Sequence, residues 1–115
     1  MRKIVKDITN TIIAGYSNKR TKDDELHCQN TDVMFFNDGH PGVRVLFHGN
    51  EIFRLDYKSK NWKVDNHGYD AKCTNIRIQA CLDSMKYLFK KYYRYETKRK
   101  DFGRIFDVGL KEYVS

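Results

Sequence analysis

Four histidines and three cysteines are the residues of this 115-residue chain that a metal ion would use first. A zinc site asks for two cysteines about two to four residues apart, or histidines one helical turn apart. Neither spacing occurs: His27 adjoins Cys28, while His40, His48 and His67 each adjoin a glycine in a turn-like stretch. No metal site is expected. Asp38, followed eighteen residues later by Asp56-Tyr57-Lys58, has the outline of a small metal-dependent nuclease, with two carboxylates on Mg²⁺ and a lysine beside the attacking water. So short a pattern recurs by chance in a chain with 32% charged residues. Residues 74–93 contain no histidine for a histidine-centred nuclease, and the chain has no glycine-rich phosphate loop or dinucleotide fingerprint. Cys73 and Cys81 flank and enter an apolar-periodic segment and read as structural thiols. Neither a catalytic residue nor a cofactor is expected.

The cations carry a stronger signal. The formal net charge is +7, and residues 86–104 alone hold Lys86, Lys90, Lys91, Arg94, Lys98, Arg99, Lys100 and Arg104 against Glu96 and Asp101. Tyr87, Phe89, Tyr92, Tyr93, Tyr95 and Phe102 are interleaved with them. Cations neutralise phosphates and aromatic rings stack on bases, so this mixture points to nucleic acid. The competing explanation is that cations near a helix C-terminus complement the macrodipole, at about 0.3–1 kcal/mol each.

The hydrophobic pattern supplies the elements that must position these residues. Ile4, Val5, Ile8, Ile12 and Ile13 recur at helical spacing, so the segment 1–14 reads as a short N-terminal helix over residues 2–14, ending near Gly15. Residues 17–30 lack periodicity and read as a mobile connector. Residues 31–65 alternate with period two around turns at 37–42, at Gly49-Asn50 and at 58–61, which predicts a four-stranded antiparallel meander. Its polar face carries Arg44, Arg54 and Lys63, and Trp62 reads as a core or sheet-edge ring. A long helix over 74–95, capped by Thr74 and packed through Ile78, Leu82, Met85, Phe89 and Tyr92, covers the apolar face. On that helix Lys86, Lys90 and Arg94 form a separate basic stripe. Residues 96–115 form a basic segment and a short C-terminal extension of unassigned structure. The fold class is α+β in a single domain, 1–115. No run of residues approaches the ~20 apolar positions of a membrane span, and the odd cysteine count fits reduced thiols in a cytoplasm.

Three stretches are similar to a family of small proteins from tailed-bacteriophage genomes: Asn30-Thr31-Asp32-Val33, Phe47-His48-Gly49-Asn50-Glu51-Ile52, and the aromatic-then-Thr-x-x-Arg junction from Tyr69 to Arg77-Ile78. The likeness spans roughly residues 30–82. It implies a phage origin and an accessory role in the cytoplasm of the host cell, and it carries no catalytic residues. The basic run lies outside it.

Together these readings predict a non-catalytic phage protein that binds nucleic acid, DNA or RNA, with weak sequence specificity. Lys86, Lys90, Lys91, Arg94, Lys98, Arg99, Lys100 and Arg104 would meet phosphates, and Tyr93 or Tyr95 would stack or position. The first alternative is a phage inhibitor that docks on a host or anti-phage defence protein, such as a nuclease or CRISPR effector. The second is the metal-dependent nuclease of Asp38, Asp56 and Lys58. No membrane partner is expected, and an open sheet edge leaves room for a homodimer.

Overall fold

Ile4, Ile8 and Ile12 recur every fourth residue, and in the computed structural model of the chain they form the buried stripe of helix α1 (Lys3–Ser17). The structure describes residues 2–17, 20–68, 71–97 and 103–114. Gly15 does not end α1. It is buried within the helix, because a Cβ there would run into the Phe35 ring and lie 2.7 Å from the Tyr57 hydroxyl. Thr9, a weak helix former, donates its hydroxyl to the Ala80 carbonyl at 2.9 Å and so ties α1 to the second helix.

The alternating stretch forms β2 (Thr31–Asn37), β3 (Pro41–Phe47), β4 (Asn50–Asp56) and β5 (Trp62–Val64). The sheet has five strands, because the expected connector contains a 3₁₀ turn (Lys22–Asp24) and strand β1 (Leu26–Cys28), paired with β2. Its order is β1-β2-β3-β4-β5, antiparallel throughout. Two side chains hold β1 in place. Glu25 Oε2 accepts from the Phe35 N–H at 2.9 Å, and His27 Nδ1 meets Asp32 Oδ1 at 2.7 Å. The β3–β4 turn is His48-Gly49, both at positive φ, and Asn50 already belongs to β4. A register shift opposite Val45 and Leu46 turns both Ile52 and Phe53 inward.

Val33, Val43, Val45, Phe53 and Leu55 are fully buried on the inner face, each contributing about 1.5–3 kcal/mol. Two helices cover that face. The second, α2 (Lys72–Phe89), buries Ile78, Leu82 and Met85 as its spacing predicts. Both ends of α2 differ from the sequence reading. Ala71 occupies the N-cap and Thr74 is buried inside the helix, while Lys90 enters the left-handed region at φ 58 and stops it. Tyr92 therefore lies beyond the helix and is exposed, as is Tyr87.

The chain then turns back along α2 as β6 (Tyr93–Glu96), which pairs with β7 (Arg104–Asp107), itself paired with β8 (Glu112–Val114), in a second, three-stranded antiparallel sheet. The C-terminal extension is thus strand. Tyr95 and Ile105 join the common core. Gln79 anchors β6 to α2, its Oε1 accepting from the Tyr95 N–H at 2.8 Å and its Nε2 donating to the Tyr93 carbonyl at 3.1 Å. All three cysteines are free, and burial pushes the Cys81 thiol well above its ordinary value.

Candidate nucleic-acid interface

The end of α2 at Phe89 divides the expected basic stripe into two groups. Lys86, Lys90 and Lys91 stay at the helix end, all exposed, with Lys86 Nζ 5.4 Å from the Tyr92 ring centre. Arg94 and Arg104 lie on the small sheet, where the register aligns Arg94, Phe106 and Tyr113 across three strands. Arg94 stacks on Phe106 at 4.9 Å and pairs with Glu96 at 3.1 Å. Arg104 stacks on Tyr113 at 3.7 Å, and the Phe106 and Tyr113 rings meet edge to face at 5.2 Å. Lys98, Arg99 and Lys100 lie outside the described residues, as do Asp101 and Phe102.

Neither expected stacking tyrosine is an open platform. Tyr95 is 7% exposed, and its hydroxyl accepts from Asn66 Nδ2 at 2.9 Å. Tyr93 packs its ring against Trp62 at 4.9 Å, and burial raises its hydroxyl pKa. Both position the strand that carries Arg94.

The structure also assembles cations that the linear sequence keeps apart. α1 and α2 lie side by side with their C-termini at one end, where the Tyr16 ring meets Phe89 at 5.5 Å and Tyr57 at 5.6 Å, edge to face. Next to Tyr16 opens a cleft of ≈ 510 Å³, lined by Tyr16, Arg20, Pro41, Tyr57, Lys58 and Lys60. Among the described residues, no carboxylate lines it. Lys60, at φ 65, places its ammonium 5.3 Å from the Phe89 ring centre, and so brings the β4–β5 turn to the end of α2 beside Lys90 and Lys91. Tyr57 donates its hydroxyl to the Ile12 carbonyl at 2.6 Å, and burial raises its pKa, which fixes the back of the cleft in neutral form.

Helix dipoles account for part of this charge. Arg20 Nη1 donates to the Gly15 carbonyl at 2.7 Å near the end of α1, and Lys86 sits in the last turn of α2. Lys58, Lys60, Lys90 and Lys91 have no acidic partner among the described residues, so they add positive potential beyond what the two helix ends engage. Sequence reasoning missed Tyr16, Arg20 and Lys60, and singled out Lys58 only as the lysine of the nuclease outline. The available signals were the excess of cations over residues 1–20 and the two lysines of the turn Lys58-Ser59-Lys60-Asn61.

The nuclease outline is divided, its two carboxylates lining one cleft and its lysine another. Asp38 pairs with Arg54 at 3.2 Å. Asp56 Oδ1 accepts from the backbone N–H groups of Lys58 and Ser59, both at 2.9 Å, bonds that hold its carboxyl below the ordinary value, and its Oδ2 meets His40 Nδ1 at 3.2 Å. Asp38 and Asp56 line a cleft on the outer sheet face, whereas the Lys58 side chain lines the cleft at the helix ends. Among the described residues no group of three or more His, Cys, Asp or Glu is placed to hold a metal ion. The outer sheet face carries Arg44, Arg54 and Lys63 as the alternation predicts. Arg54 stacks on Phe36 at 4.0 Å, and both arginines pair with Glu51, at 3.0 and 3.3 Å.

No helix among the described residues is long and apolar enough to cross a membrane. No curated protein and no solved structure matches the chain. One family model, described as Kyanoviridae Gp96 protein, matches residues 1–111.

Proposed function

The chain belongs to this family of phage proteins, and we propose that it binds nucleic acid non-catalytically in the host cytoplasm, through cations at the shared C-terminal end of its two helices. One observation carries the reading. Arg20, Lys58 and Lys60, brought together from separate segments, surround Tyr16 and Tyr57 in a cleft that no carboxylate among the described residues lines, and Lys90 and Lys91 continue the patch. From there β6 leads to the Arg94–Phe106 and Arg104–Tyr113 stacks. Contacts of this kind neutralise phosphates and carry no base code, so affinity is steeply salt-dependent and sequence preference weak.

The test is binding to labelled single- and double-stranded DNA and RNA at rising salt, with Lys58→Glu/Lys60→Glu and Lys90→Glu/Lys91→Glu variants. Phosphate binding at ~100 mM salt should lie in the micromolar range typical of non-specific complexes, and either charge reversal should weaken it by about tenfold or more. Absence of binding to all four ligands, or variants that bind like the parent, overturns the proposal.

A second reading rests on the outer sheet face. The Arg54–Phe36 stack, with Met34, Leu46 and Arg44 on the same face, has the arginine, aromatic and methionine content of protein interfaces. It favours docking on a host or defence protein. Arg54→Glu should abolish capture of such a partner and leave nucleic-acid affinity unchanged.

A further inference from the structure

At the opposite end of α2 from the basic patch, a cavity of ≈ 400 Å³ lies between the β3–β4 turn and the start of the helix. Its size falls within the range of about 300–1,000 Å³ common to small-ligand pockets. Phe47, Ile52 and Ala71 supply apolar wall, and Cys73 and Thr74 close one side. Among the described residues, no carboxylate lines the cavity.

Several lining residues are tied to their neighbours. The Arg77 guanidinium lies 4.2 Å from the Phe47 ring centre. It donates to Thr31 Oγ1 and the Cys73 carbonyl, both at 2.8 Å, and to the Gln29 carbonyl at 3.4 Å. His67 Nε2 donates to the Glu51 carbonyl at 2.6 Å. Asn66 gives Nδ2 to the Tyr95 hydroxyl and accepts the Gly68 N–H on Oδ1, both at 2.9 Å, so one wall of the cavity is fastened to β6. Two of the lining side chains, Asn50 and His48, are exposed. The Asn50 amide and the His48 ring nitrogens have no hydrogen-bond partner among the described residues, and the His48 ring leans on Phe47 at 4.3 Å.

A flat heteroaromatic ring with donors and acceptors along its edge suits an apolar, aromatic wall with polar groups at its rim. Its faces suit the apolar and aromatic wall, and the asparagine amide offers the paired donor and acceptor that reads base edges. We infer that this cavity holds one unstacked nucleobase of a single strand whose phosphates follow β6 toward the basic patch. The inference rests on the nucleic-acid reading above and adds a preference for single strands, since a paired base cannot enter.

Cys73 provides the readout. In a Cys28→Ser background it is the remaining exposed thiol, because Cys81 is buried. The probes are a single-stranded DNA of about twelve nucleotides, longer than α2 at about 3.4 Å per stacked nucleotide, and an abasic oligomer of equal length. With the base-bearing oligomer at ten times its Kd, alkylation of Cys73 should slow about tenfold. The abasic oligomer should bind with the same salt dependence and leave the alkylation rate unchanged. Asn50→Ala should reduce the protection and leave the salt dependence intact. Equal protection by both oligomers, or binding without protection, overturns the inference while phosphate binding stands. If neither oligomer binds, the nucleic-acid reading has failed, and millimolar adenosine decides for the cavity: protection of Cys73 supports a base site, and none overturns it.

Discussion

Arg77 shows how one side chain can order several others. It is 4% exposed, three carbonyl or hydroxyl oxygens accept its N–H groups, and its flat face fixes Phe47. Arg77→Ala removes these donors and the stack together, and an unsatisfied buried polar group costs about 1–3 kcal/mol. Urea denaturation should show a loss of at least that size. Arg77→Lys should recover little of it, because an ammonium lacks the planar fork. The residue was legible in the sequence as the first-turn arginine of a helix, but its burial was not, since Thr31 and Phe47 reach it only through the tertiary fold. Tyr95 is a similar case. Its place among cations resembles a stacking ring, whereas the alternation of β6 turns it inward and Arg94 outward.

Element boundaries were legible where the chemistry is local. β2 to β5 follow from alternation and turn residues, and α1 from its isoleucines. β1 was not, because three residues with one aliphatic side chain, Leu26, leave no pattern, and the strand depends on Glu25 and His27 gripping β2. That grip makes β1 pH-sensitive. The hydrogen bond to Asp32, with a smaller one to Glu25, raises the His27 pKa above 6.5. Its contribution is therefore fully present below about pH 6.5 and is lost as pH rises through the higher folded-state value. Hydrogen exchange of β1 amides should quicken across that window relative to β3, and His27→Gln should remove the difference. The end of α2 was hidden for a different reason. No glycine or proline marks it, and Lys90 adopts the left-handed conformation that glycine usually takes. Lys90→Gly should raise stability by about 0.5–1 kcal/mol, read as a higher Tm. The same substitution removes one cation and should weaken nucleic-acid binding, so stability and function change in opposite directions.

At the scale of the whole molecule, α2 separates two features by roughly 27 Å, eighteen residues at about 1.5 Å each. The cleft at its C-terminal end gathers cations, the cavity at its N-terminal end has an apolar wall with exposed polar groups at the β3–β4 turn, and β6 runs between them. Of this arrangement the sequence made legible only the basic, aromatic run. Arg20, Lys58 and Lys60 are too far apart along the chain for any local pattern to join them to Lys90 and Lys91. The central claim is that these dispersed cations act as one phosphate-binding surface. It is tested most directly by the salt dependence of binding to single-stranded DNA, comparing the parent with Lys58→Gln/Lys60→Gln. If both lysines displace counterions, the slope of log Kobs against log salt should become shallower by about 1.4, near 0.7 per contact. An unchanged slope would mean that the cleft does not touch the phosphates, and would contradict the account.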